Sequence, residues 1–421
     1  MHISCHHVLT VSFFDKRAHP EDSMTRSFSK VTTASLLVAG TAIGAGMLAL
    51  PVATAQGGFI PAVVMYVLCW LFMSVTGLLL LEVCLFMPKD ANLISMSYHL
   101  LGKKGKIVSW VLYLFLFYCL SIAYVAGGGG FVSTVSEGMI SPKWGIALFT
   151  LVFAPVVYLG TQSVGRVNIV LMGGLCLSYL AFVFLGYRDV QIDFLHHVSW
   201  PAAILSLPII FTSFSYQGII PSLTSYMKGN ARLVRAAILI GTAVPLLIYI
   251  VWEFLILGII PLDGPLGLCQ AKELGQSAVF SLRHYLSSPW IYGIGQSFAF
   301  CALTTSFLGV TLGLVDFLAD GFKVVNMGKN RLLLCAAVFI PPVLIACWKP
   351  GIFLGALTYA GGIGCALLLG LMPVLMVWKG RYHKGYGLRY AQVGGGKIML
   401  ILLVLIVICE VVVECISEIA S

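Results

Sequence analysis

Two stretches of this chain place bare backbone and uncharged polar side chains where an apolar helix would otherwise run unbroken. The first is GTAIGAGMLALP (40–51), with three glycines in seven residues. Each glycine weakens a helix by roughly 1 kcal/mol relative to alanine. Taken alone, it fits two readings equally: a Gly40–Gly44 packing face that lets two helices approach, or backbone that unwinds. Gly309–Gly313 and Gly351–Gly355 repeat the spacing, and there packing suffices. The second stretch is FTSFSYQGIIPSLTSYM (211–227), with Pro208 ahead of it and Gly218 and Pro221 inside. Thr212, Ser213, Ser215, Tyr216 and Gln217 crowd its first half without a charge. Polar groups in lipid are costly and mark pathways, and backbone leaves the helix there only beside protein or a water-filled cavity. The second stretch tips the first toward unwinding.

Unpaired N–H groups at the start of a half-helix attract a carboxylate by geometry and by dipole. Unpaired carbonyls at the end of the opposing half accept from an ammonium. The N–H groups around Gly44, Ala45 and Gly46 and the carbonyls near Ala39, Gly40, Phe211 and Thr212 therefore suit a zwitterion lying against bare backbone. The predicted substrate-binding set is Gly40, Thr41, Gly44, Ala45 and Gly46 with Phe211, Thr212, Ser213, Phe214, Ser215 and Tyr216. A side chain on that zwitterion would meet Phe211, Phe214 and Tyr216, with Tyr118, Tyr124 and Tyr359 from other segments. Aromatic pairs add about 0.5–1.5 kcal/mol beyond burial, which favours an aromatic substrate. With 25 Phe and 17 Tyr in the chain, most aromatic rings must face lipid or core instead.

Coupling such a site to an ion gradient needs a titratable group or a cation site. Glu253 is expected to be the one acid well inside the first ten apolar segments, and intramembrane acids are functional hypotheses by default. Glu82 and Asp316 fall near segment ends, where solvation or pairing with a loop explains them. Glu410, Glu414 and Glu418, spaced i, i+4, i+8, read as the exposed end of the last segment. Thr304 and Thr305 offer hydroxyls to a cation, although hydroxyls commonly bond their own helix. The residues alone leave proton against sodium undecided.

The elements that must position these groups are membrane-spanning helices. Of 421 residues, 59% are hydrophobic and 10% charged, against about 25% charged in soluble domains. Eleven segments reach the roughly 20 apolar residues a span needs: 31–54, 58–86, 107–130, 144–161, 167–187, 202–226, 236–262, 290–318, 331–348, 351–378 and 398–417. They are too continuously apolar for a barrel. With the N-terminus inside, 20 Lys and Arg fall in inner loops and 5 in outer ones, which sets the N-terminus in and the C-terminus out. The net charge of +9 is thereby a matter of orientation, and no nucleic acid is called for. Loops 88–106 and 228–237 read as short surface helices.

The interrupted segments are the first and the sixth. A five-segment unit crosses an odd number of times, so its second copy is inverted, and matching breaks in two halves point to a transporter's binding site. The predicted division is a tail (1–30), two five-helix repeats (31–187 and 188–378), a basic loop (379–397) and an eleventh helix (398–421). The GGGK at 394–397 is no phosphate loop, because Ile398 replaces the required Ser or Thr. The 12 Cys contain no CxxC pair, so no metal or disulfide framework is indicated. Cys5-His6-His7 and His196-His197 are weak metal hints only. The tail shows no apolar core with a cleavage site, and Met24 offers a more natural start. No cofactor is expected.

GTAIGAGMLALP, LLLLEVCL (78–85), YVAGGGG (124–130) and TTSFLGVTLGLVDFLADG (304–321) together resemble the hydroxy and aromatic amino-acid permease family, in its tyrosine- and tryptophan-permease branch. The resemblance covers residue 27 to the C-terminus. It implies a proton-driven secondary transporter of the bacterial inner membrane, on the leucine-transporter scaffold, taking tyrosine, tryptophan or both. The serine/threonine branch shares the first and last of these motifs. An integral-membrane enzyme would need a cluster of His, Asp, Glu or Cys, and a channel would need charge rings or filter loops; the sequence shows neither. The oligomeric state is open.

Overall fold

The computed structural model describes residues 20–87 and 91–420, with side chains from Ser29 to Ile416. The tail with Cys5-His6-His7 lies outside the described residues. Every spanning element is helical, and among the described residues there is no strand. Among the described residues nine helices are long and apolar enough to cross a membrane, and a bent pair makes a tenth.

That pair is the first segment. Helix α1a (Pro20–Ala42) and helix α1b (Ala45–Thr54) meet at 55° across Ile43 and Gly44. Helix α1a begins at Pro20, well before the expected residue 31. Next come α2 (Phe59–Phe86), α3 (Leu93–Val135), α4 (Pro142–Leu159) and α5 (Thr161–Gly186). The short helix expected within 88–106 forms the first turns of α3, up to Gly102: Asn92 caps it by accepting from the Ser95 N–H at 2.8 Å. Gly102, at φ 77°, turns the chain into the long spanning part, a conformation that a side chain would resist.

The sixth segment is in pieces: Trp200–Ile204, α6a (Leu207–Ser213), a single turn at Gln217–Ile219 and α6b (Ile220–Tyr226). No piece is long enough to be a span alone, which is why it is missing from the count. Helix α7 (Ala231–Ile259) follows, capped by Asn230. The expected separate surface helix at 228–237 is therefore corrected: a turn at Lys228–Gly229 leads straight into α7. The chain ends with α8 (Pro289–Phe322), α9 (Gly328–Trp348), α10 (Phe353–His383) and α11 (Gly396–Ala420).

Burial sorts these helices into an inner and an outer set. In their most apolar stretch α10, α8 and α2 are 78%, 67% and 61% buried, whereas α5 and α4 are 17% and 28% buried. Ile169, Val170, Leu177 and Phe184 leave most of their surface uncovered along α5. So large an apolar face is foreign to a water-soluble surface and suits lipid. The inner helices surround the two breaks.

Candidate functional site

The breaks in the first and sixth segments lie against each other. At the first, the Ile43 N–H still donates to the Ala39 carbonyl at 2.9 Å, and the ladder resumes with a short-span bond from Met47 N–H to Gly44 O at 3.1 Å. Gly44 is extended, at φ −167°, which any residue can adopt. Its need for glycine is spatial: a Cβ there would stand 2.2 Å from Ser306 Oγ of α8, and one on Gly46 would stand 2.9 Å from Ser213 Oγ of the sixth segment. The Ala45 N–H donates to Ser306 Oγ at 3.0 Å, so this predicted carboxylate donor already has a partner in the state seen here.

Tyr249 of α7 joins the two breaks. Its hydroxyl lies 2.7 Å from the Ala42 carbonyl and 2.9 Å from the Ser213 carbonyl, and with one hydrogen it can donate to only one at a time. Its ring packs edge-on to Phe214, centroids 5.0 Å apart. The convergent carbonyls are thus those of Ala42 and Ser213, a few residues beyond the expected Ala39, Gly40, Phe211 and Thr212. The Ala39 carbonyl serves Ile43, and the Thr212 carbonyl serves the N–H and the hydroxyl of Ser215.

The predicted residues divide accordingly. Gly44, Ala45, Gly46, Ser213 and Phe214 come together, with Tyr124 of α3 buried beside Ser306. Gly40 is half-buried, and Thr41 is exposed, its hydroxyl returning to Leu37 O. Thr212 crosses to α10, donating to Leu357 O at 2.7 Å. Phe211 stacks on Phe72 of α2. Tyr216 reaches Met73 O on α2, seated over Gly77, where a Cβ would collide with the phenol. Tyr118 turns outward to Ala337 O of α9. Tyr359 stands at the end of the first turns of α10, half-buried. The Gln217 amide fills the sixth-segment break, donating to Met73 O and to Thr76 Oγ1.

Glu253 is fully buried. Tyr66 of α2 donates to it at 2.6 Å, and the Thr54 hydroxyl at the end of α1b meets its other oxygen while also lying 2.7 Å from the Leu50 carbonyl, with one hydrogen to give to either. It therefore ties three helices together one turn beyond Tyr249. Glu82, four residues from the end of α2, is also fully buried, held by Arg381 through two contacts of 2.6 Å and by the Gln392 N–H. Of the two roles considered for Glu82, pairing is what the structure shows, as for exposed Asp316, which accepts from Asn326. The reading of Glu410, Glu414 and Glu418 as an exposed end is corrected for the first two: both are at most 3% exposed, and Glu414 meets Gly362 of α10, while the Glu418 side chain lies outside the described residues. Thr305 bonds Ala302 O in its own helix, while the buried Thr304 hydroxyl has no partner among the described residues.

Polar contacts pin the ends as well. On the side of the 379–397 loop stands the Glu82–Arg381 pair. On the other side His197 meets Gln56 O and Lys272 donates to Gln56 Oε1 at 2.9 Å, over the end of α1b. Burial lowers the Lys272 ammonium from its ordinary value. Among the described residues no three His, Cys, Asp or Glu side chains gather as a metal site.

The model of the tryptophan/tyrosine permease family matches residues 27–413. This chain belongs to that family. The permease is 34% identical to tyrosine-specific transport system 2 of Haemophilus influenzae over 90% of its own length and 94% of that protein. It is 31% identical to the tryptophan-specific transport protein of Pseudomonas aeruginosa, over 88% and 91%. Its fold is similar to the crystal structure of MhsT in complex with L-phenylalanine, with a TM-score of 0.63 over 91% of this chain and 97% of that one, at 14% identity. The permease is thus a multi-pass membrane transporter with the leucine-transporter fold and not an enzyme.

Tyr249 and Ser306, which organise the site, escaped the sequence reading. The one available signal was position: Tyr249 precedes Glu253 by one helical turn, on the same face of α7.

Proposed function

We propose that this permease imports aromatic amino acids, tyrosine, tryptophan or both, by proton symport with alternating access. The observation that carries the reading is the meeting of two broken helices at Tyr249, where the Ala42 and Ser213 carbonyls converge beside bare Gly44–Gly46 backbone. In this reading the substrate ammonium displaces the Tyr249 hydroxyl from those carbonyls. The carboxylate takes the N–H groups at the start of α1b, with Ser306 releasing Ala45. Phe214 and Tyr124 flank the side chain. The names of the relatives support an aromatic substrate. Glu253, buried and bonded to the Tyr66 and Thr54 hydroxyls, is the proton carrier, and its link to α1b through Thr54 couples charge to the moving half-helix. Thr304 and Thr305 remain the hydroxyl pair for a cation, with sodium the less favoured ion. The two five-helix repeats, 31–187 and 188–378, rock about the site. The chain sits in the bacterial inner membrane with the basic loops in the cytoplasm.

Purified protein in proteoliposomes should take up labelled tyrosine or tryptophan under an inward proton gradient and not under a sodium gradient alone. Glu253→Gln should leave substrate exchange intact and remove the pH dependence of net uptake. Uptake of serine without either aromatic amino acid overturns the substrate assignment, and an unchanged pH profile in Glu253→Gln removes that residue as carrier.

A further inference from the structure

The buried stripe of α11 runs through Leu400, Leu403, Val407, Glu410 and Glu414, at alternating spacings of three and four. That is a helix-packing seam, and it ends in carboxyls rather than in leucines. Its partner is the middle of α10, which is π-helical from Ala360 to Leu371 and rich in glycine. A Cβ on Gly370 would meet Val407, and one on Gly362 would meet the side chain of Glu414 at 2.7 Å. Glu410 lies between these two levels, 2% exposed, and neither of its carboxyl oxygens has a hydrogen-bond partner among the described residues.

The titratable groups facing Glu410 are Glu414 on its own helix, Cys365 of α10 and Cys69 of α2; Cys119 of α3 faces Glu414. None carries a positive charge, and among the described residues no Lys, Arg or His acts on Glu410. Buried acids elsewhere in the molecule contrast with it. Glu82 has a guanidinium and a backbone N–H, and Glu253 has two hydroxyl partners. A carboxylate charge with neither counter-cation nor donor is not sustained away from water, whereas the neutral acid is. The seam leads inward: on its other side α10 meets the sixth segment, where the Thr212 hydroxyl donates to Leu357 O at 2.7 Å and a Cβ on Gly361 would meet Thr212 Oγ1.

We propose that Glu410 is a proton-binding site of this permease, loaded in the arrangement seen here and linked to the substrate site through α10, which packs on α6a. The proposal rests on the reading of the protein as a proton-coupled carrier and adds a second acid to it, from a helix outside the two repeats. The step is the binding of one proton to one carboxylate oxygen and its later release. Protonation removes a charge from the α10–α11 seam, and α10 in turn packs on α6a, where a Cβ on Gly361 would overlap Pro208 O.

Infrared difference spectra of the full chain in lipid, recorded across pH, test this directly. The wild type should show a protonated-carboxyl stretching band, part of which is lost in Glu410→Gln and kept in Glu253→Gln. Glu410→Asp should restore it at a shifted frequency, which keeps the test open if the amide variant fails to insert. In proteoliposomes Glu410→Gln should retain substrate exchange and lose part of the pH dependence of net uptake. A band untouched by either substitution, or a wild-type pH profile in Glu410→Gln, overturns the proposal. Absence of aromatic uptake by the wild type overturns the functional reading instead and leaves the infrared result to decide on Glu410.

Discussion

A first side-chain carbon on Gly44 would stand 2.2 Å from the Ser306 hydroxyl oxygen, inside the distance at which real atoms coexist. A side chain there would turn that hydroxyl away from the Ala45 N–H that it holds. Gly44→Leu should therefore push α1b off α8, release the Ala45 N–H from Ser306 and abolish uptake. Overpacking of this kind costs typically 1–3 kcal/mol, which a well-buried bundle absorbs, so the variant should still insert. Transport retained by inserted Gly44→Leu, measured in proteoliposomes, would show that this backbone does not hold substrate. The same close view explains which predicted residues gathered and which did not. Glycine spacing and polar crowding located the breaks to within a few residues. They carried no information on which carbonyl is reached by a tyrosine on a helix more than 200 positions away from Ala42.

Between elements, the buried Glu82–Arg381 pair holds α2 to the end of α10, and the Gln392 N–H and the Val393 carbonyl bring in the loop leading to α11. Arg235 of α7 reaches Gln392 as well. Removing one partner of such a pair leaves a buried charge and costs about 3–5 kcal/mol, while replacing both with apolar residues is often neutral. Glu82→Ala should lower the thermal unfolding midpoint in detergent well below that of the wild type, and Glu82→Leu with Arg381→Leu should recover most of the loss. An unchanged midpoint in Glu82→Ala would mean that the pair holds nothing together. The LLLLEVCL motif placed this acid near a helix end. Its partner lies 299 residues later, beyond the reach of any local pattern. On α11 the reverse happened: the i, i+4, i+8 spacing of acids suggested an exposed face. The competing spacing through Leu400, Leu403 and Val407, on the same face, was the correct guide for Glu410 and Glu414.

At the scale of the whole molecule, charge and hydropathy govern orientation. The loops near residues 228 and 379–397 share one side, since Arg235 bonds Gln392 and Tyr386 stacks on Phe86. Under the positive-inside rule their basic residues support the proposal that this side is cytoplasmic. A C-terminal alkaline phosphatase fusion should therefore be active in the periplasm, and the same phosphatase inserted in the 379–397 loop should be silent; the opposite result would invert the assignment. The all-helical membrane fold was legible from composition and segment length because lipid leaves few other ways to satisfy a backbone. The two breaks were legible because glycine and uncharged polar residues have a cost in lipid that demands a reason. What the tertiary structure alone decided was pairing. Tyr249 spans both breaks, Ser306 holds Ala45, Arg381 holds Glu82, and Glu410 faces α10 with no partner among the described residues. Each of these depends on which helix lies beside which. Sequence periodicity fixes the face of a helix that turns inward, and only packing fixes what that face meets.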